Sequence, residues 1–233
     1  MNAREMEARL KALEKKVGIL EDVNEVKRLQ RAYSYYVQHM MRDEIYDCFA
    51  DHPDVALHWL EGSWLGKEGV KRYFGVGTDR PDPPPGFLHQ VMPIAGVVDV
   101  EPNGKRAKGR WYSFGGVSIP REGKFQCTFV GGIYEIEYIK ENGVWKFLII
   151  NWIIPYNVTV PEGAWVPPEA IGEAIMNFKA PSPDTPPKAS DPRFKSGYIF
   201  PFHYNHPVTG KATSENAKNA RLVSAKIAKS KAK

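Results

Sequence analysis

The sequence predicts an α+β fold: N-terminal helices on one face of a curved, largely antiparallel sheet, followed by a Pro-rich C-terminal arm. Three observations carry this. Apolar residues recur at helical spacing through the first 50 residues, and strand-like segments with tight turns follow from about residue 87 to 154. The last strands alternate in apolar and polar character across Glu141-Asn142-Gly143, a hairpin turn signature. A Gly131-Gly132 pair lies early in the strand before that turn, where a sheet can bend or bulge.

The elements follow in order. Residues 3 to 21 read as a charged helix in which Met6, Leu10, Leu13, Val17 and Leu20 form a two-heptad seam. Two heptads do not hold a free coiled coil, so packing on the same chain or on another subunit is expected. A second helical region spans 23 to 50, with its main helix ending near 41. Val26, Leu29, Tyr33, Val37 and Met40 share a face, and a short helix holds Ile45, Cys48 and Phe49. Asp51-His52-Pro53 breaks it, and VALHWL begins a strand. Gly66-Lys67-Glu68-Gly69 opens a short helix through Phe74, and TDRPDPPPG is a rigid irregular loop. Four strands follow near 87–100, 105–115, 125–140 and 144–154. In the last, strict alternation places Trp145, Phe147, Ile149 and Asn151 on one face. An asparagine behind three large apolar groups needs a partner, whether protein, water or ligand.

From Pro155 the composition changes, with 11 of the 19 prolines at or after it. Residues 157–210 form an extended arm with aromatic anchors at Trp165, Phe178, Phe194, Tyr198, Phe200, Phe202 and Tyr204, expected to wrap the body or a neighbouring subunit. Residues 211–233 are a basic tail. The units are therefore 1–21, 22–156, 157–210 and 211–233.

With 42% hydrophobic and 12% aromatic residues, the chain can bury a real core. The net charge of +5 is concentrated in the tail, where seven Lys and Arg face one Glu; residues 1–210 carry −1. A solvated tail explains the basicity better than a nucleic-acid arm. Cys48 and Cys127 have no metal or redox spacing and are expected reduced and buried. No run approaches a membrane span, and the charged N-terminus is not a signal peptide, so a soluble cytoplasmic protein without nucleic-acid or membrane partners is expected.

Phosphate loops, nucleophile elbows and paired-cysteine zinc spacings are absent from the sequence. His203 and His206 in FHYNHP lack a third ligand, so a structural arm motif is favoured over a metal. His39 lies beside the apolar face of the long helix. His89 shares a strand face with Phe87 and Val91, and Tyr134 points inward from its strand. If the helix crosses the sheet, His39, His89, Tyr134 and Asn151 converge on one cavity as the catalytic candidates. Tyr33, Trp59, Arg110, Trp111, Tyr112 and Trp152 are the substrate-binding candidates. A near-neutral histidine facing a tyrosine donor suits proton transfer at pH 7.

LQRAYSYYVQHMMRDEIYDCFADHPDVALHW followed by GKEGVKRYF resembles the opening of SnoaL-like proteins of the nuclear transport factor 2-like superfamily. FLHQVM, KRAKGRWYSF and NGVWKF fit that superfamily's strands in order, over about residues 20 to 155. The resemblance implies a cone-shaped α+β barrel. Compared with scytalone dehydratase-like members, the helical acid–base tyrosine falls at His39 and its neighbouring carboxylate at Met40, so that carboxylate is missing. The second tyrosine falls near Trp59 and the pocket histidine at His89. A strand histidine falls near Trp111 and a strand asparagine near Tyr134. The resemblance implies a cofactor-free, metal-free lyase acting on a hydroxylated aromatic small molecule, by dehydration or retro-aldol elimination; the heptad seam and the aromatic arm separately predict a homo-oligomer. Two alternatives stay open: an isomerase or cyclase of a polyketide or steroid-like substrate, and a non-catalytic ligand-binding or dioxygenase-small-subunit-like protein.

Overall fold

The computed structural model describes residues 2–83, 87–121, 124–160 and 202–214. Its elements are α1 (Ala3–Gln38), α2 (Arg42–Asp47), β1 (Ala56–Trp59), β2 (Gly62–Leu65), α3 (Gly66–Phe74), β3 (Leu88–Val100), β4 (Arg106–Arg121), β5 (Lys124–Glu141) and β6 (Val144–Thr159). One six-stranded sheet runs in the order β2-β1-β6-β5-β4-β3 and is not closed. β1 joins β6 in parallel, and the other pairings are antiparallel. The α+β class and the curved sheet are as the sequence predicts.

The two expected N-terminal helices are one. α1 runs 36 residues from a capping box, in which the Asn2 side chain accepts from the Glu5 N–H and the Glu5 carboxylate from the Asn2 N–H. No second helix starts near residue 23, because the Asp22 carboxylate has other partners. It accepts from Lys140 Nζ and, at 2.9 Å, from Trp145 Nε1. α1 ends where Met40 turns left-handed at φ 50°. The Met40 and Met41 amides then bond back to the Val37 and Tyr36 carbonyls. Only the second half of α1 is buried, through Val26, Leu29, Tyr33, Tyr36 and Val37. It packs across the sheet, with Tyr33 edge-on to Phe147 at 4.9 Å.

β2, unforeseen in the sequence reading, pairs back on β1 from Gly62 to Leu65. β4 and β6 run longer than expected. Asn142 and Gly143 take left-handed conformations, at φ 51° and 81°, as the predicted hairpin requires. The register between β5 and β6 shifts at Gly131/Ile133, so the glycine pair does mark an irregularity. At Gly132 a Cβ would lie 2.1 Å from the Ile153 carbonyl oxygen.

A second shift in that ladder overturns the predicted facing of β6. Tyr138 pairs with Phe147 but Glu137 pairs with Ile149, which leaves Leu148 unopposed. Phe147 and Leu148 are therefore both buried, and the alternation changes phase. Ile150 and Trp152 continue the inner face, while Ile149 and Asn151 turn outward.

Both cysteines are free and buried. Of the arm, residues 202–214 return to the body. Phe202 stands edge-on to Tyr36 at 5.7 Å, and the His206 ring stacks on Tyr36 at 5.1 Å. The anchors Trp165, Phe178, Phe194, Tyr198 and Phe200 and most of the basic tail lie outside the described residues. Among the described residues no helix is long and apolar enough to cross a membrane.

Candidate active site

The inner face of the sheet and the C-terminal half of α1 enclose a narrow pocket. Tyr33, Ser34 and Val37 contribute from α1, and Met40 from just beyond its end. Trp59 contributes from β1, Tyr73 and Phe74 from α3, His89 and Val91 from β3, Tyr134 from β5 and Trp152 from β6. The space encloses about 40 Å³ for the centres of water-sized spheres, room for a few waters.

Trp152 organises this wall. Its indole N–H donates to Ser113 Oγ at 2.8 Å, which fixes the ring. Tyr134 stacks on it at 5.5 Å and 22°, and Trp59 meets it edge-on at 5.9 Å. His89 lies against its third side at 6.1 Å. The phase change at Leu148 makes this possible, because strict alternation from Phe147 would have pointed Trp152 outward.

The site's electrostatics follow from burial without charge. Among the described residues, no carboxylate, ammonium or guanidinium group lines the pocket. Burial lowers His89 below its ordinary 6.5, so its imidazole is neutral at pH 7. Burial, then the neighbouring Tyr73 phenol, pushes Tyr134 far above the usual tyrosine range. Burial and then Tyr134 do the same to Tyr33, and burial pushes Tyr73 up to about 12. The phenols are therefore proton donors, and among the described lining residues His89 is the one ordinary base. Trp59 Nε1 is buried and makes no hydrogen bond to a described residue. A ligand oxygen would satisfy it.

Of the predicted catalytic set, His89 and Tyr134 meet in this pocket and His39 and Asn151 do not. His39 is the C-cap of α1, outside the lining. Asn151 pairs with Glu135 and His58 on the outer face. Of the predicted binding set, Tyr33, Trp59 and Trp152 line the pocket. Arg110 and Tyr112 do not, because the β4 pleat that turns Trp111 inward turns both of them outward. Arg110 ion-pairs with Glu135, and Tyr112 is 61% exposed. Trp111 is core rather than lining; its Nε1 donates to the Tyr138 hydroxyl at 3.1 Å, which donates to Gln30 Oε1 at 2.9 Å.

Tyr73, Ser34 and Met40 were missed as lining residues. Met40 was readable only as the last of a helical stripe, and nothing local in GKEGVKRYF separates Tyr73 from its neighbours. His206 is structural: its Nδ1 accepts from the Val208 and Thr209 amides, which leaves Nε2–H to donate to the Glu44 carbonyl at 2.8 Å. His203 is exposed. Among the described residues no group of three potential ligands could hold a metal ion.

A family model described as SnoaL-like domain matches residues 18–150. No curated protein matches the chain. Solved structures share its fold. A protein of Novosphingobium aromaticivorans provisionally called a scytalone dehydratase superposes with TM-score 0.50 at 17% identity, covering 65% of this chain and 99% of its own. A second protein of that organism, provisionally called an aromatic ring hydroxylase, gives 0.50 at 18% identity over 60% of this chain and 94% of its own. LinA gives 0.51 at 17% identity over 66% and 99%.

Proposed function

The chain belongs to the SnoaL-like domain family, and on that premise we propose that it is a cofactor-independent lyase acting on a hydroxylated aromatic small molecule by dehydration or retro-aldol elimination. The observation that carries this reading is His89. It is a neutral, largely buried imidazole in an aromatic pocket whose described lining residues carry no charge.

That environment constrains the chemistry. Among the described residues no lining carboxylate is present to pair with an imidazolium formed there, and an unpaired buried charge is expensive. Proton uptake by His89 is therefore coupled to charge developing on the substrate itself. A para-hydroxyaryl carbinol supplies such a substrate. His89 takes the phenolic proton, the ring electrons move toward the carbinol carbon, and the carbon–oxygen bond breaks. The departing hydroxide takes the Tyr134 proton and leaves as water. The substrate becomes a quinone methide, and the proton on His89 returns to the Tyr134 oxygen. Where a CH2OH group sits on the adjacent carbon, its O–H proton goes to His89, its carbon–carbon bond supplies electrons to the quinone methide, and the phenolate so formed takes the proton back from His89. Formaldehyde is released. The Trp59 N–H is a donor for a substrate oxygen, and Trp152 is the stacking wall. Lignin-derived phenolics have this chemistry. The dehydratase name of one fold neighbour points the same way.

One observation favours a non-catalytic ligand-binding role as well: the buried Trp59 indole N–H has no partner among the described residues and suits a bound ligand oxygen whether or not that ligand reacts. Titrating phenolic alcohols against the fluorescence of Trp59 and Trp152, with product analysis by mass spectrometry, separates the readings. A lyase quenches and releases water or formaldehyde. A binding protein quenches and releases nothing, and a pocket closed to phenolics does neither.

A further inference from the structure

The first 20 residues of α1 carry an apolar stripe that nothing in the described structure covers. Met6, Leu10, Leu13, Val17 and Leu20 are 54, 56, 51, 51 and 64% exposed. Burial of the helix begins only at Asp22 and Val26. In heptad terms Leu10, Val17 and Asn24 occupy a, and Met6, Leu13 and Leu20 occupy d. The flanking positions are sorted by sign. Glu7, Glu14 and Glu21 fill e, while Arg9 and Lys16 fill g. Glu7 pairs within the helix with Lys11; Arg9, Glu14, Lys16 and Glu21 make no ion pair with a described residue.

We infer that this segment forms a parallel two-stranded coiled coil with a second copy of the chain. In a parallel pair, each g residue faces the e residue of the next heptad on the other helix. Arg9 then meets Glu14 of the second copy, and Lys16 meets Glu21, each twice by symmetry. An antiparallel pair would set g against g and e against e, so base would face base and acid would face acid. Asn24, exposed at an a position, adds a polar register pin.

Two heptads are too few to order a free helix and pair it. Here the helix is already ordered, by its capping box at Asn2 and by its second half in the core. Association therefore does not carry the cost of nucleating the helix. Five half-exposed side chains at about 100 Å² each bury about 1,000 Å² over both copies, the threshold for a specific interface. The outer sheet face, with Tyr112, Phe114 and Phe129 exposed, is the rival surface, but there Lys108 is already paired with Glu137 and Arg110 with Glu135 within the chain.

The test uses the full chain in sedimentation equilibrium. The wild type dimerises. Glu14→Lys with Glu21→Lys sets four like-charge contacts in place of four pairs and weakens the dimer by about 10²-fold. Arg9→Glu with Lys16→Glu does the same, and an equimolar mixture of the two double variants recovers wild-type affinity as a heterodimer. Leu20→Cys cross-links to itself on oxidation, because equal d positions near the end of the stripe adjoin only in the parallel pair. The native Cys48 and Cys127 are buried and stay silent. Circular dichroism confirms folding of each variant. A wild type that stays monomeric near 100 μM overturns the inference. Charge variants that dimerise like wild type also overturn it, because another face then carries the association. A dimer in which Leu20→Cys does not cross-link overturns the parallel orientation.

Discussion

Replacing His206 tests whether the returning segment 202–214 is clamped to the body as its geometry indicates. The ring stacks on Tyr36 at 5.1 Å and 11°, donates to the Glu44 carbonyl at 2.8 Å and accepts from the Val208 and Thr209 amides at 3.1 and 3.3 Å. His206 is 2% exposed and Glu44 8%, so the carbonyl it leaves cannot readily turn to water. His206→Phe keeps the stacking surface and removes both nitrogens. One orphaned buried carbonyl costs about 1–3 kcal/mol and the partly exposed amides little, so this variant loses about 2 kcal/mol. His206→Ala also loses the ring contact, roughly another 1 kcal/mol, and leaves a cavity beneath it. The expected losses are therefore about 2 kcal/mol for Phe and 3–4 kcal/mol for Ala. If the segment detaches before the body unfolds, the loss appears instead as faster tryptic cleavage at the exposed Lys211. Urea unfolding followed by circular dichroism reads the first form and limited trypsin digestion the second. Unchanged stability together with unchanged cleavage in His206→Ala would refute the clamp.

Other consequences follow from the same geometry. Asp22→Ala removes the shared acceptor of Lys140 and Trp145 and should cost about 1–3 kcal/mol in urea unfolding, discounted because Lys140 is partly exposed. Between the lowered folded value of His89 and its ordinary 6.5, the unfolded chain binds a proton that the folded chain does not. Stability should fall as pH drops through that window and be full above it, and His89→Phe should flatten this part of the pH–stability curve. Asn151→Ala and Arg110→Ala, both on the outer face, should leave turnover within about twofold of wild type, since neither touches the pocket.

Helix-then-sheet order, the Asn142-Gly143 turn, the glycine-pair irregularity and the inward His89 and Tyr134 were all legible in the sequence. Each rests on local periodicity or turn chemistry, which one sequence displays. The failures needed information from across the sheet. Nothing in WKFLIINW marks Leu148 as the extra residue, because the bulge is a property of its pairing with Glu137 and Tyr138. That one residue moved Asn151 out of the site and Trp152 into it. The continuity of α1 was hidden for a related reason. Asp22 favours a helix start until Lys140 and Trp145, more than a hundred residues away, engage its carboxylate. Strand alternation excludes Arg110 and Tyr112 from the site once Trp111 is known to face inward.

As proposed, a neutral His89 is the base of an elimination in an aromatic pocket whose described lining carries no charge. Turnover of para-hydroxyaryl carbinols and their vicinal hydroxymethyl analogues by wild type and by folded His89→Ala tests it most directly. Product mass would show the loss of water or formaldehyde, and kcat/KM would be followed from pH 5 to 9. The account predicts wild-type turnover with an acidic limb whose apparent pKa lies below the ordinary 6.5 of histidine. It also predicts a loss of about 10²- to 10⁴-fold in His89→Ala. A folded His89→Ala protein turning over at the wild-type rate, or a wild type that binds these phenolics and converts none, would contradict it.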